Sequence, residues 1–461
     1  MSAGISLRRG REHVSSLLVT ALSAAFGAGL IQATGFVNDL YRDEEGGGET
    51  QTALVAVAMV FILLALYVAS IVTANTFGTI IAGRARTVAL LRLVGASART
   101  LRRDVAREGL VVGLVGALGG AIVGVGVSHA ALAWGVASGV MPEAAYRSVD
   151  PLVLLPVVLV VLTTWTASHV GSRAVLSVTP MQATGAAQER SHEESVRRPV
   201  RTVFAILFLV GGASLLALGI LLGLVSPFGI VVAFFGGVGS FTGVVLGAHW
   251  ILPAVLRLVG RALGRSAPAT LAAANAVRYP ERSTRTTVGL VIGVTLVTTF
   301  AVAMATYRTI LLREFGGEDV DGVLAVTVGV LSALIGFSGV IAAVGMVNNL
   351  SLSVLQRTRE LGLLRALGFT ARQVRGMILA ESAQMSVASV GLGLALGIVY
   401  GWAAAQSLLG SLSGTGLVWP TMPWGLLAIL VAGAALLAGL AALAPSRRAT
   451  AVSPVAALAV D

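Results

Sequence analysis

Two arginine-rich segments hold the charged side chains of this chain that are best spaced to act together. Segment 357–381 reads RTRELGLLRALGFTARQVRGMILAE, and segment 84–108 reads RARTVALLRLVGASARTLRRDVARE. Arginine and glutamate in this arrangement form ion pairs and docking contacts, because both remain charged at neutral pH. Shifted by 273 positions (84 to 357), the segments align several identical residues, among them these pairs: Arg84 with Arg357, Arg86 with Arg359, Arg92 with Arg365, Gly95 with Gly368 and Glu108 with Glu381.

The sequence offers no set of residues for bond-breaking chemistry. It has no cysteine and no lysine, which excludes thiolate catalysis and the lysine of a phosphate-binding loop. His129, His169 and His249 are single residues in or near apolar runs, so packed neutral histidines are favoured over metal ligands. We therefore expect no enzyme activity and no cofactor in this chain. If ATP drives the protein, a partner chain binds the ATP and Mg²⁺.

The composition indicates an integral membrane protein. Hydrophobic residues make up 56% of the chain and charged residues 11%, and the mean hydropathy is +0.90. Since about 20 apolar residues span a bilayer, ten runs qualify as membrane helices: 14–35, 52–80, 109–137, 151–171, 202–224, 229–256, 286–311, 323–350, 377–408 and 424–444.

The arginines predict how these helices are oriented. If the N-terminus is cytoplasmic, 28 of the 32 basic residues fall on the inner side, and only Arg42, Arg147, Arg308 and Arg313 fall outside. This bias follows the positive-inside rule. It predicts a multi-pass protein of the bacterial inner or plasma membrane with both termini in the cytoplasm. Because the arginines lie at helix ends, the net charge of +11 indicates lipid rather than nucleic acid as a partner.

Along the chain, the ten predicted membrane helices form a group of four, then a pair, then a second group of four. We predict an all-α polytopic fold with two parallel four-helix repeats and a central helix pair. The first repeat, at 1–185, is degenerate. A linker and the central pair occupy 186–265, and the second repeat occupies 266–461. Because both repeats have the same inside-out sense, an axis along the membrane normal relates them.

Each arginine-rich segment is predicted to form a short helix at the inner membrane surface. In the second copy, Leu361, Leu364 and Leu367 follow helical spacing. Gly368 then breaks the helix and Thr370 can cap the next one. We expect Glu108 and Glu381 each to pair with an arginine of its own segment. One such helix in each repeat would allow the protein to dock on a two-fold symmetric cytoplasmic partner. A single helix of this kind could instead be an interfacial anchor that only fixes the topology.

The motif RELGLLRALG, followed by a glutamate at the start of the next helix, resembles the signature of FtsX-like ABC transporter permeases. That family includes the macrolide-exporter and lipoprotein-releasing permeases. The closing segments SRAVLSVTPMQATG and SRRATAVSPVAALA resemble the tail of the family. NAVRYPERSTRT at 275–286 resembles its amphipathic elbow. The elbow residues are Asn275, Arg278, Pro280 and Arg282.

The resemblance implies a permease subunit that works with a separate cytoplasmic ATPase, a homodimer for each permease chain. It assigns coupling to the ATPase to the five aligned pairs listed above and to Glu360, whose place Thr87 takes in the first copy. The predicted outer loops between the first two helices of each repeat are short. They exclude a folded extracytoplasmic domain there and favour export of an apolar or membrane-derived substrate.

Two other functions remain open at this stage. A module that passes the motion of an ATPase through the membrane as a signal would use the same segments. The short outer loops give such a module little surface for an external partner. A secondary transporter with parallel repeats would need acidic residues in the middle of helices, and the acids lie in loops or at helix ends.

Overall fold

A computed structural model describes part of the 461-residue chain. It covers residues 10–40, 85–138, 142–173, 199–262, 280–315, 367–411 and 416–433, with scattered helical positions between 62 and 74 and at 274, 435 and 436. These residues form helices joined by turns, so the predicted all-α class is confirmed. Contacts divide the chain into a first unit, Met1–Ala186, and a second unit, Ala187–Asp461.

The helices of each unit follow in chain order. The first unit has α1 (Gly10–Leu40), α2 (Ala85–Leu93), α3 (Ala98–Ala137) and α4 (Leu154–Gly171), with a 3-10 turn at Pro151–Val153. The second has α5 (Pro199–Gly223), α6 (Gly229–Ala262), α7 (Pro280–Phe315), α8 (Ala371–Leu409) and α9 (Trp424–Gly433).

Seven helices among the described residues are long and apolar enough to cross a membrane. They are Ser16–Phe36, Ala98–Ala137, Pro151–Gly171, Val200–Gly223, Gly229–Ala262, Thr287–Arg313 and Arg372–Leu409. Each coincides with one of the ten predicted runs. The run at 323–350 lies outside the described residues and that at 52–80 largely so. The last run, 424–444, is described as the short apolar helix Trp424–Gly433.

In the first unit, glycines bring α3 into backbone contact with α1. A Cβ atom at Gly120 would meet the main-chain carbonyl of Ala21, and one at Gly124 would meet that of Ala25. One turn further on, the hydroxyl of Ser128 donates to the carbonyl of Gly29 at 3.0 Å. Small residues four apart thus form the contact face of α3, the spacing that lets membrane helices pack closely.

The second unit repeats this crossing at the same offset. A Cβ atom at Gly393 would lie 2.7 Å from Cβ of Val294, and one at Gly397 would meet the side chain of Thr298. Each position is 273 residues beyond its counterpart in the first unit (120 and 393, 21 and 294). The α1–α3 and α7–α8 pairs are therefore two copies of one helix packing.

The central pair of helices packs against α7 and α8 of the second unit. Leu216 of α5 and Ala233 of α6 form a buried cluster with Ala403 of α8. Near the other end of α8, the Gln384 amide donates to the carbonyl of Leu256 at 2.8 Å in a buried contact. The described part of 186–265 therefore packs against the second repeat. The division of the chain into three parts at 185 and 265 stays a prediction.

A polar network closes the end of the first unit that lies away from α2. Arg147 donates to both carboxylate oxygens of Asp39, the shortest distance being 2.7 Å, and to Asp150 at 3.0 Å. Gln32 of α1 accepts the backbone N–H of Asp150 at 2.9 Å. The hydrogen bonds from Arg147 to Asp39 raise the pKa of the guanidinium, so it stays charged and holds the α3–α4 segment on α1.

The glycine crossing gives a matched pair of stability predictions. We expect Gly120→Ala and Gly393→Ala to lower the free energy of unfolding by about 1–3 kcal/mol, since each methyl group must push two helices apart. Gly119→Ala and Gly391→Ala are the controls, because open space surrounds both positions. Thermal unfolding in mild detergent measures all four. Equal midpoints for tested and control variants would contradict the close crossing.

Candidate functional site

The first arginine-rich segment folds as a short helix that ends in a glycine turn. After α2, the N–H of Ala96 donates to the carbonyl of Leu91 at 2.8 Å, and the N–H of Gly95 donates to that of Arg92 at 3.1 Å. Gly95 has φ +103°, in the left-handed region that glycine adopts without a steric penalty. These three features together make a Schellman motif, which satisfies the last carbonyls of the helix.

The turn leads directly into the long helix α3. Ser97 is its N-cap, and the hydroxyl accepts the backbone N–H of Thr100 at 3.1 Å. A side-chain acceptor at this position satisfies one of the free N–H groups of the first turn. The direction of α3 is thereby fixed relative to the glycine turn.

The second segment has a left-handed glycine and a capped helix start at the equivalent positions 273 residues later (95 and 368). Gly368 has φ +96°, and Thr370 caps α8 in a reciprocal capping box with Gln373. The backbone N–H of Thr370 donates to Gln373 at 2.9 Å, and the N–H of Gln373 donates to the Thr370 hydroxyl at 3.3 Å. The predicted cap at Thr370 is observed, whereas the helix predicted to end at Gly368 lies outside the described residues.

An exposed apolar residue stands before the glycine in both turns. Val94 is 89% exposed and Leu367 is 71% exposed, and they occupy equivalent positions (94 and 367). In the first unit, Leu90 and Leu93 of α2 are exposed as well, whereas Ala89 is buried. We call Val94–Gly95 and Leu367–Gly368 the two connector tips.

Arginines surround the tips on the first turns of the long helices. Arg99, Arg103 and Arg107 of α3 are exposed, as are Arg372 and Arg375 of α8. Exposed guanidinium groups beside an apolar tip suit a protein surface that combines a hydrophobic cleft with carboxylates.

Arg102 is a residue of this region that the sequence comparison did not single out. Its Nε donates to the Ser172 hydroxyl at 3.3 Å, and its Nη2 lies 3.3 Å from Nε2 of His169. Both partners lie at the C-terminal end of α4, so Arg102 joins the start of α3 to the end of α4. Its recurrence as Arg375 at the 273-residue offset was a signal that could have identified it.

The two predicted glutamates lie further along the long helices. Glu108 is partly buried and Glu381 is 5% exposed. Each is ten residues beyond the first residue of its helix, or about 15 Å at the rise of an α-helix. Their expected pairing with connector arginines stays a prediction.

The structure describes some of the predicted site residues and not others. Arg86 lies in α2, Arg92 is a partly buried residue in its last turn, Pro280 is the first residue of α7, and Arg282 lies in its first turns. The remaining predicted positions lie outside the described residues: Arg84, Arg357, Arg359, Glu360, Arg365, Asn275 and Arg278.

The histidines in the described helices have structural neighbours. Nδ1 of His129 lies 3.0 Å from the carbonyl of Val125, and its ring contacts Phe36 edge-on. Nδ1 of His249 lies 2.9 Å from the carbonyl of Leu246. Across the described residues, no group of three His, Cys, Asp or Glu is placed to hold a metal ion.

Comparison with known proteins places both connector tips within matches to one family. The sequence model of the FtsX-like permease C-terminal domain matches this chain twice, at 59–178 and 332–454. The two matches begin 273 residues apart (59 and 332) and together cover more than half of the chain. Each matched stretch contains one connector tip and the long helix that follows it.

Two curated relatives also resemble the chain. The uncharacterized ABC transporter permease YknZ of Bacillus subtilis (strain 168) is 27% identical over 153 residues, or 33% of this chain and 36% of that protein. The macrolide export ATP-binding/permease protein MacB of Bdellovibrio bacteriovorus is 35% identical over 85 residues. That match covers 17% of this chain and 13% of MacB, so both relatives are matched over a minor part of their length.

The left-handed glycines give a second prediction. We expect Gly95→Val and Gly368→Val to loosen the turns, because a left-handed backbone costs a residue with a side chain about 1–2 kcal/mol. Gly95→Asn and Gly368→Asn are the matched controls, since asparagine tolerates this conformation better. Hydrogen–deuterium exchange of the amides at 94–100 and 367–373 measures the effect. Identical exchange in the valine and asparagine variants would contradict the assigned geometry.

Proposed function

Since this chain belongs to the family of FtsX-like permeases of ABC transporters, we propose that it couples ATP hydrolysis in a separate subunit to export. The observation that supports this proposal most is the repeated connector tip. Each repeat presents an apolar residue and a left-handed glycine at the start of a long membrane helix. A force applied to either tip acts directly on a continuous helix.

The position of the tips along the helices favours a protein partner over lipid. No Asp, Glu, Lys or Arg follows Glu108 in α3 or Glu381 in α8, so the hydrocarbon region begins no earlier than these residues. The start of each helix lies about 15 Å before them, beyond the roughly 5–8 Å of headgroup layer on each side of a bilayer. The exposed Val94 and Leu367 side chains would therefore project past the lipid.

The chain itself is expected to bind no nucleotide. It has no lysine, and a phosphate-binding loop uses lysine to reach the β- and γ-phosphates. ATP and Mg²⁺ would be bound by the partner, and this chain would be the non-enzymatic permease subunit. The arginine bias of the predicted topology puts the tips and both chain termini on the cytoplasmic side, where ATP is available.

We infer the substrate class from the short predicted outer loops. We infer the direction of transport from the printed name of one relative. The outer loops predicted between the first two helices of each repeat are too short for a folded domain. An apolar compound or one taken from the membrane would need no such domain. The relative that is named a macrolide export protein supports the outward direction.

The stoichiometry of the complex tests the proposal. Two tips in one chain match the two equivalent sites of an ATPase homodimer. We expect affinity purification of the tagged chain in mild detergent to recover one permease chain for every two ATPase chains, measured by native mass spectrometry. Recovery of two permease chains would refute the duplicated assembly. Absence of any ATPase at endogenous expression levels would refute the function.

The apolar tips give a variant test of the same contact. Removing a buried leucine side chain from an interface loses about 1.5–3 kcal/mol, or about 10- to 100-fold in affinity, and a charge loses more. We expect Leu367→Asp to lower ATPase recovery at least tenfold and Val94→Asp to lower it as well. Val149→Asp is the control, because Val149 is exposed at the opposite end of the first unit. Unchanged recovery with Leu367→Asp would contradict docking at the tip.

A further inference from the structure

The segment after α8 and the first residue of α9 present two tryptophans at the far end of the second unit, away from its connector tip. Trp419 is 88% exposed and Trp424 is 75% exposed. They flank Pro420 and Pro423, which restrict the backbone between them. We call residues 416–424 the tryptophan segment.

Hydrogen bonds hold the tryptophan segment on the helices beneath it. The backbone N–H of Val418 donates to Gln406 at 2.9 Å, and the Val418 carbonyl accepts from the Trp402 indole at 2.6 Å. The N–H of Thr421 donates to the hydroxyl of Thr306 at 3.1 Å. Val418 is buried with Ile310, Leu311 and Leu409.

These contacts order the backbone on both sides of Trp419. The exposure of the two indole rings is therefore a property of a fixed segment. An ordered backbone that presents large apolar rings has already lost the conformational entropy that binding would otherwise remove.

The equivalent segment of the first unit has the opposite character. Tyr146 stands where Trp419 does, at the 273-residue offset (146 and 419). Around Tyr146, Glu143 is exposed, and Arg147 forms ion pairs with Asp39 and Asp150. By contrast, no charged residue occurs anywhere from 409 to 446. The two repeats therefore differ in charge at this far end.

We propose that the tryptophan segment inserts into the interfacial layer of the bilayer, with both indole rings among the headgroups and upper acyl chains. Tryptophan is enriched at this depth because its ring is apolar and its N–H is polar. Lipid is favoured over a protein partner because the segment joins two apolar helices and lacks the charges of a polar interface rim. Insertion would fix the far end of α8 at a constant depth.

The absence of cysteine allows a direct test by single-cysteine labelling. Leu417→Cys probes the tryptophan segment, and Ala144→Cys probes the equivalent exposed position of the first unit (144 and 417). Each variant is labelled with an NBD fluorophore and reconstituted into phosphatidylcholine nanodiscs with or without doxyl-labelled lipid. The test needs no ATPase, so its outcome is independent of the proposed function.

We expect NBD at 417 to emit at shorter wavelength than NBD at 144 and to be quenched at least twofold more by doxyl lipid. Trp419→Ala with Trp424→Ala in the Leu417→Cys background should reduce that quenching by at least half. Leu417→Cys alone tests insertion even if the double variant fails to fold. Water-like emission at 417, or equal quenching at 144 and 417, would overturn the proposal.

Discussion

Close backbone contact between glycines and a neighbouring helix is the constraint on which both repeats depend. Side chains would otherwise separate α3 from α1 and α8 from α7, and Gly120 and Gly393 remove them at the crossing point. In a bilayer, lipid tails are as apolar as leucine, so packing distance determines which helices associate. A long helix held in this way can carry motion from its connector tip without bending away from its partner.

The two repeats share this packing but not their surroundings. Gln384 of α8 is 1% exposed because it contacts α6. Its counterpart in α3, Val111, is 59% exposed. At this position, the face of α8 that binds the central pair corresponds in α3 to an exposed apolar side chain. Motion of α8 would therefore move α6 with it.

The two units also differ in the polar contacts that join their helices. Arg102 joins α3 to α4 at the connector end, and Arg147 joins α1 to the α3–α4 segment at the far end. The equivalent far end of the second unit uses neutral hydrogen bonds, such as that from Thr421 to Thr306. An ion pair that is partly shielded from water stabilises a fixed geometry more strongly than a hydroxyl contact. The two repeats therefore share a helix arrangement, but different polar contacts hold their helices together.

The sequence by itself determined the features that depend on nearby residues. The length of the apolar runs predicted the seven described membrane spans. The 273-residue offset predicted that Gly95 and Gly368 are equivalent, and both have a left-handed backbone. The predicted cap at Thr370 follows from local hydrogen bonding within one helical turn. The predicted sites at 357–365 and 275–278 lie outside the described residues.

The tertiary structure alone decided the pairings between distant segments. Arg147 with Asp39 and Gln384 with Leu256 join residues more than 100 positions apart, and no local pattern specifies such partners. The same limit applies to Trp419, whose exposure depends on hydrogen bonds that fix its segment on α7 and α8. Periodicity identifies which residues share a helix face, but only packing determines which other helix, or lipid, covers that face.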